Sequence, residues 1–339
     1  MTSPVYQLSD SYIERLAALD PGSATYMGIA GYDDKMTDFS PAGHDARSEL
    51  DSSTLKKLNT LDTSDPADRL AAGVFREALE MNEADYSANE HLRSIRIIAG
   101  DVDAARSVFD LMPTETASNW ETIADRLSQV PAAFDGMCES WKLGIERGAI
   151  AQRRQVLAVS EQLAVWAGLR GNSGFFDDFV SGAANVAGAP VERLKSLASQ
   201  ASQALARTSA FLERDYAPRA EDRNGVGPER HALALRRFMG MAVDARDAYE
   251  WGTNEVLRLD AELSRVAGEI KPGATLDEVR HELDNDPAKA VHGEEQLRDW
   301  LQELMDDAMG FLIDNQHFDI PNAIRRVEDR KSTRLNSSH

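Results

Sequence analysis

One apolar stripe constrains this chain more than any other feature. Between Asp244 and Ile270, the residues Ala245, Tyr249, Gly252, Val256, Leu259, Leu263, Val266 and Ile270 recur at alternating steps of four and three. That spacing keeps them on one side of a long helix. Asp244 is placed to cap its start, with Asp247 in the first turn. Lys271-Pro272-Gly273 stops it, because proline cannot donate the ladder hydrogen bond. At ~1.5 Å per residue the helix is roughly 40 Å long, enough to cross a domain. A core helix and one wall of an active-site cleft would both carry such a stripe, and spacing alone does not separate them.

The same period runs through the rest of the chain. Val5, Leu8, Tyr12, Ile13 and Leu16 mark a first helix ended by Asp20-Pro21-Gly22, and a short turn of helix follows over 24–29. Ser40-Pro41 and Ser64-Asp65-Pro66 each read as an N-cap followed by proline in the first turn. The second of these opens a helix whose buried face is Leu70, Val74, Phe75, Leu79 and Met81. Ile95 to Ala99 is a short apolar run that fits no period. Ser118 is placed to cap a helix carrying Trp120, Ile123 and Leu127, and Pro131 opens another through Phe134, Met137, Cys138 and Trp141. Segment 168–188 is glycine-rich with Phe175, Phe176 and Phe179 embedded, which predicts an anchored loop rather than a mobile lid. Residues 190–216 form a long alanine-rich helix, and 218–227 is a charged connector. Thr275 and Glu278 make a capping box, and Gly293 opens a helix with Leu297, Trp300, Leu301, Leu304, Phe311 and Leu312 on one face. With no internal repeat and no run of strands, the fold class is all-α, a multi-helix array. The expected organisation is a helical subdomain over 1–217, a segment with the long helix over 218–329, and a disordered, non-native tail over 330–339.

Charge narrows the partners. The chain carries 37 basic and 57 acidic residues, a net charge of -20, which repels phosphate backbones and anionic lipid. No run of lysines and arginines offsets this, so neither nucleic acid nor membrane is an expected partner. Cys138 is the only cysteine. It permits no internal disulfide and fits a reducing compartment. The N-terminus shows neither a basic region nor an apolar core, and no apolar run approaches the ~20 residues of a bilayer span. The expected location is the cytoplasm.

Side-chain chemistry is sparse at the level of motifs. The seven histidines are His44, His91, His231, His281, His292, His317 and His339. A helical zinc hydrolase places two histidines four apart so that both face one metal, as in H-E-x-x-H. His281-Glu282 begins that pattern and lacks its second histidine. His292-Gly293-Glu294-Glu295 also fails, and His317 and Asp319 are two apart. Gly225-Val226-Gly227 is too short for a phosphate loop, and no G-x-S-x-G elbow appears. The carboxylates Glu303, Asp306, Asp307 and Asp314 read as a solvated helix face. No catalytic, metal-binding or cofactor-binding residue is assigned, and no substrate-binding residue can be named.

Several stretches nevertheless form a recognisable order. Asp110-Leu111-Met112-Pro113, then Asn119-Trp120, Arg126-Leu127 and Val130-Pro131, resembles a bacterial family called domain of unknown function 885 (DUF885). Gly225-Val226-Gly227, Tyr249-Glu250-Trp251-Gly252 and His317-Phe318-Asp319-Ile320-Pro321, before Arg325 and Glu328, fit the same family. The resemblance runs from about Tyr6 to Glu328. The family is similar to helical zinc carboxypeptidases, whose members carry an H-E-x-x-x-G-H-H-like motif with a downstream acid. That resemblance implies metal-assisted peptide hydrolysis and a zinc cofactor for full-length members. The motif lies beyond the region matched here, so it assigns no ligand to any residue of this chain.

The final stretch, Arg330 to His339, resembles translated sequencing-library sequence found on unrelated proteins. The expectation is therefore the N-terminal, non-catalytic part of a zinc metallopeptidase of the carboxypeptidase type, a fragment inactive alone. Such a fragment would bear on a peptide substrate only in the full-length protein, and would self-associate through exposed apolar surface. The alternative is a non-enzymatic helical binding scaffold. The source DNA beyond codon 339 discriminates between them.

Overall fold

Caps and prolines open the long helices where the sequence places them. In the computed structural model, which describes residues 3–315 and 318–326, six helices carry proline at one of their first two positions. They are α1 (Pro4–Leu19), α2 (Pro21–Tyr26), α3 (Pro41–Leu58), α4 (Pro66–Ser87), α7 (Val130–Glu146) and α11 (Pro228–Met239). The proline ring presets the helical φ, and its missing N–H costs nothing in the first turn. The remaining helices are α5 (Asp101–Ser107), α6 (Ala117–Leu127), α8 (Arg153–Trp166), α9 (Phe175–Ser181), α10 (Val191–Phe211), α12 (Ala245–Ile270), α13 (Leu276–Asp284) and α14 (Glu294–Asp314). No strand occurs among the described residues. One isolated bridge joins Gln152 to Glu221. The fold is all-α. The tail 330–339, His317, Glu328 and His339 lie outside the described residues.

The chain divides into two compact units, Met1–Val243 and Asp244–His339. The charged connector 218–227 falls inside the first. In that unit α10 is central, packing on α6, α7, α8 and α9. Its Leu194, Ala198, Ala201 and Leu205 are fully buried. Small residues let the neighbouring helices approach closely. A smaller core joins α1, α3 and α4 through Val5, Tyr12, Leu50, Leu58 and Leu79. The glycine-rich segment is anchored, but its phenylalanines lie on the short helix α9 rather than in a loop: Phe176 is buried, and its ring meets Phe109 edge-on at 5.3 Å. Such offset geometry suits the ring quadrupoles.

Buried Arg126 stitches α6 to the segment before α3. Its Nε donates to Lys35 O (2.8 Å), and its Nη2 donates to Thr25 Oγ1 (2.8 Å) and Tyr32 O (3.0 Å). Three carbonyl or hydroxyl acceptors from one short stretch hold an otherwise irregular loop.

Three local expectations are corrected. The cap of α6 is Thr116, not Ser118, with Asn119 completing a capping box. Leu70 and Val74 are exposed, while Ala72, Leu79 and Met81 make the buried face of α4. The long helix α12 is present with its Asp244 cap, yet only Ala267 is buried. Tyr249 is 77% exposed and Val256 65%, so α12 is not the core helix its stripe allows. Periodicity reports that a helix has an apolar face, and says nothing of whether that face is covered. In the second unit, α12 packs on α13, where the predicted Thr275–Glu278 capping box forms.

Candidate functional site

Helix α7 carries a column of small residues, Gly136, Ser140 and Gly144, one turn apart. Two backbone segments press against it. A methyl group on Gly136 would lie 2.9 Å from Ser40 N, and one on Gly144 would lie 2.6 Å from Leu92 O. Ser140 Oγ donates to Phe39 O at 2.7 Å. Ser40 caps α3, which carries His44, and Leu92 follows His91 in the 3-10 turn Glu90–Arg93. The small-residue column therefore seats the two segments that bring His44 and His91 together.

The imidazoles lie 4.9 Å apart between ring centres, and Tyr86 stacks on His91 at 4.5 Å. They line an open cavity of about 430 Å³ with Tyr12, Arg47, Asp51 and Asn82. Burial first, and then the Arg47 guanidinium, lowers His44 to about 3. Burial first, and then Arg147, lowers His91 to about 4. Both rings are neutral at pH 7. Arg47 Nη2 lies 3.0 Å from His44 Nδ1. Arginine can only donate, so Nδ1 accepts and the His44 proton resides on Nε2. His44 Nε2 and His91 Nδ1 are buried without a hydrogen-bond partner among the described residues. Across the cavity Tyr12 Oη donates to Asp51 Oδ1 at 2.7 Å. Burial raises Asp51 above the ordinary carboxylate range.

Zinc does not fit this pair. Arg47 occupies the His44 Nδ1 lone pair and places a fixed positive charge beside the ring. Among the described residues no group of three or more histidine, cysteine or acidic side chains is placed to hold a metal ion. What the cavity offers is polar recognition: imidazole N–H donors, the guanidinium groups of Arg47 and Arg237, and the carboxylates of Asp51 and Asp85.

Helix α11 closes one side without a hydrophobic seat. It buries no residue. Arg236 forks onto Glu77 (2.9 and 2.7 Å), and Arg237 meets Asp85 (2.6 Å) and Asn82 (3.3 Å). Glycines with positive φ, Gly227 at 86° and Gly240 at 69°, bracket it.

His44 and His91 each read from the sequence as isolated residues, because no motif spacing links positions so far apart. The signal lay in two polar rows at helical spacing: His44, Arg47 and Asp51 on α3, and Asn82, Asp85 and Tyr86 on α4. Among the described residues, the other histidines do not join them. His281 Nδ1 lies 3.3 Å from Asn285 Nδ2 on its own helix. Cys138 is half-buried beside Thr208, and burial pushes its thiol up to about 11, which makes it a packing residue.

Helices packed around α10, with a polar histidine cavity and no strand among the described residues, define an all-helical class of protein. The chain belongs to the family described as bacterial proteins of unknown function, DUF885, whose model matches residues 21–336. Two solved structures share the fold. One is a candidate lipoprotein from Colwellia psychrerythraea, 15% identical with a TM-score of 0.68, covering 93% of this chain and 60% of that one. The other is a candidate lipoprotein of unknown function from Shewanella oneidensis, 14% identical with a TM-score of 0.66, covering 95% of this chain and 59% of that one. The chain thus spans about 60% of the length of the structures it matches. No curated protein matches it significantly. No described helix is long and apolar enough to cross a membrane.

Proposed function

We propose that this chain is the non-catalytic, cleft-forming part of a metallopeptidase of the carboxypeptidase type, with zinc ligands supplied by sequence outside it. The single observation behind this reading is α12, a 26-residue helix with one buried residue and an exposed apolar stripe. A stripe of that length is the surface on which further helices of a longer fold would pack. The sequence resemblance supplies the peptidase chemistry, with peptide as the substrate class of the longer protein. A cytoplasmic location belongs to the same reading and rests on the single cysteine. The two solved neighbours are described as lipoproteins, so cell fractionation of the native protein decides that point.

The second reading is a non-enzymatic binding scaffold. The histidine cavity favours it, because all its lining residues fall within the first unit and Arg47 beside His44 does not suit a metal ion. One experiment separates the two. The chain is joined to the C-terminal half encoded by an uninterrupted gene of the family, and zinc content and peptide hydrolysis are measured. The peptidase reading expects both to appear in the joined protein and neither in the chain alone. Stoichiometric zinc without hydrolysis, or no zinc at all, gives the scaffold reading precedence.

A further inference from the structure

A second cavity, of about 460 Å³, lies among the Glu90–Arg93 turn, the start of α8 and α11. Its walls carry Arg93, Arg96, Arg230 and Arg237 against Asp85 and Glu90. Four guanidinium groups against two carboxylates leave an excess of two positive charges, in a chain whose net charge is -20. Glu221, close enough to act on Arg93 and Arg230, and Asp101, close enough to act on Arg96, offset that excess without lining the cavity.

The pairing inside is uneven. Glu90 is taken by Arg230 at 2.6 and 2.7 Å, with Arg93 at 3.6 Å. Arg93 spends Nη2 on Ala88 O at 2.9 Å. Arg237 holds Asp85 at 2.6 Å. Arg96 makes no hydrogen bond or ion pair among the described residues, and faces the cavity beside the amides of Gln152, Gln155 and Asn224. Arg93 is pulled below the ordinary guanidinium value by burial and, among charges, by the repulsion of Arg230. Arg236 and Arg237 hold α11 on α4, and Arg230 holds it on the Glu90–Arg93 turn, so Arg96 is not needed for that attachment. Arg96 is exposed and acts through space on Asp85 and Asp101, which leaves its guanidinium N–H groups without a hydrogen-bond acceptor among the described residues.

We propose that this cavity is an oxyanion site, binding the carboxylate or phosphate group of a small molecule, with Arg96 as the primary donor and Arg93 behind it. A guanidinium fork matches either group with two parallel N–H···O bonds. The amides of Gln152, Gln155 and Asn224 add neutral donors beside that fork. The site is independent of the peptidase reading, because it lies within the first unit and uses neither α12 nor a metal.

The test uses the whole chain. Thermal unfolding is followed with inorganic phosphate or acetate, at ionic strength held constant with sodium chloride. A ligand that binds only the folded state raises Tm in proportion to the logarithm of its concentration above Kd. At least one of the two anions should give a rise linear in that logarithm and larger than the sodium chloride control, and which one does so identifies the group recognised. Arg96→Gln should weaken that anion about tenfold or more, and Arg96→Lys, which keeps charge but not the fork, should fall between. Arg236→Gln, on α11 but outside the cavity, should keep the full response. No rise above the sodium chloride control with either anion, or a rise that Arg96→Gln retains in full, overturns the site.

Discussion

Gly144 of α7 passes so close to the backbone of Leu92 that a methyl group on it would lie 2.6 Å from the Leu92 carbonyl oxygen and 2.9 Å from that of Ala149. Both obstacles are backbone atoms and cannot rotate away. Gly144→Ala should therefore destabilise the protein by roughly 1–3 kcal/mol, the range for overpacking a filled interior, despite alanine's better helix propensity. Chemical denaturation measures it. Because Leu92 adjoins His91, the substitution should also shift the imidazole resonances of His91 in an NMR spectrum. An unchanged midpoint would mean that the turn is not seated on α7.

The two neutral histidines make the first unit acid-sensitive over a defined window. His44 is lowered to about 3 and His91 to about 4, both below the ordinary histidine value. Between about pH 6.5 and those values the unfolded chain takes up protons that the folded chain refuses. Stability is thus complete above about 6.5 and is lost as pH falls toward 4 and 3. Asp38 and Asp45 oppose the shift in His44, whereas Arg47 reinforces it. A double variant, His44→Gln with His91→Gln, should flatten the decline between pH 6.5 and 5. Urea midpoints across that range check it, and parallel curves for variant and parent would refute the assignment.

Much of this architecture is legible in the residues. Ser40-Pro41, Asp65-Pro66, Asp244 and the Thr275–Glu278 box each open a helix where local chemistry says they should. These features are local, decided within four residues by unsatisfied N–H groups and a fixed φ. The cavity was not legible, because His44 and His91 meet only through the contact of two segments with Gly136, Ser140 and Gly144. A glycine in a helix announces nothing about what lies against it. The basic cavity was hidden for the same reason: Arg93 and Arg96 sit in one turn, Arg230 and Arg237 on a helix far along the chain, and no run of positive charge exists to be read. Nor could spacing distinguish the covered apolar face of α10 from the bare one of α12.

Helix α11 should respond to salt where α10 does not. Its attachment is Arg230 to Glu90, Arg236 to Glu77 and Glu80, and Arg237 to Asp85, with no buried residue of its own. Screening shortens from a Debye length of about 10 Å at 0.1 M to about 3 Å at 1 M. Amide hydrogen exchange over 228–239 should accelerate in 1 M sodium chloride, while protection over 194–205 holds. Protease nicking near Gly227 and Gly240, the positive-φ bends that bracket α11, should rise in parallel. Equal exchange at both salt concentrations would mean that apolar contacts, and not the arginines, carry the attachment.

The bare stripe of α12 has a counterpart on α14. Leu297, Trp300, Leu304 and Phe311 are exposed there, and α14 buries no residue. Apolar surface left in water forgoes about 25 cal/mol per Å² relative to a covered face, and a contiguous patch of it favours association. The chain alone should therefore self-associate at high concentration and bind an apolar dye more strongly than a domain of equal size with covered helices. Val256→Asp with Phe311→Asp should reduce both signals without unfolding the first unit, since neither side chain is part of a core. Joining the C-terminal half from an uninterrupted gene should quench the dye as its helices cover the stripe. A dye-silent monomer whose signal does not change on joining would mean that the stripes need no partner, and the scaffold reading would then stand on the histidine cavity alone.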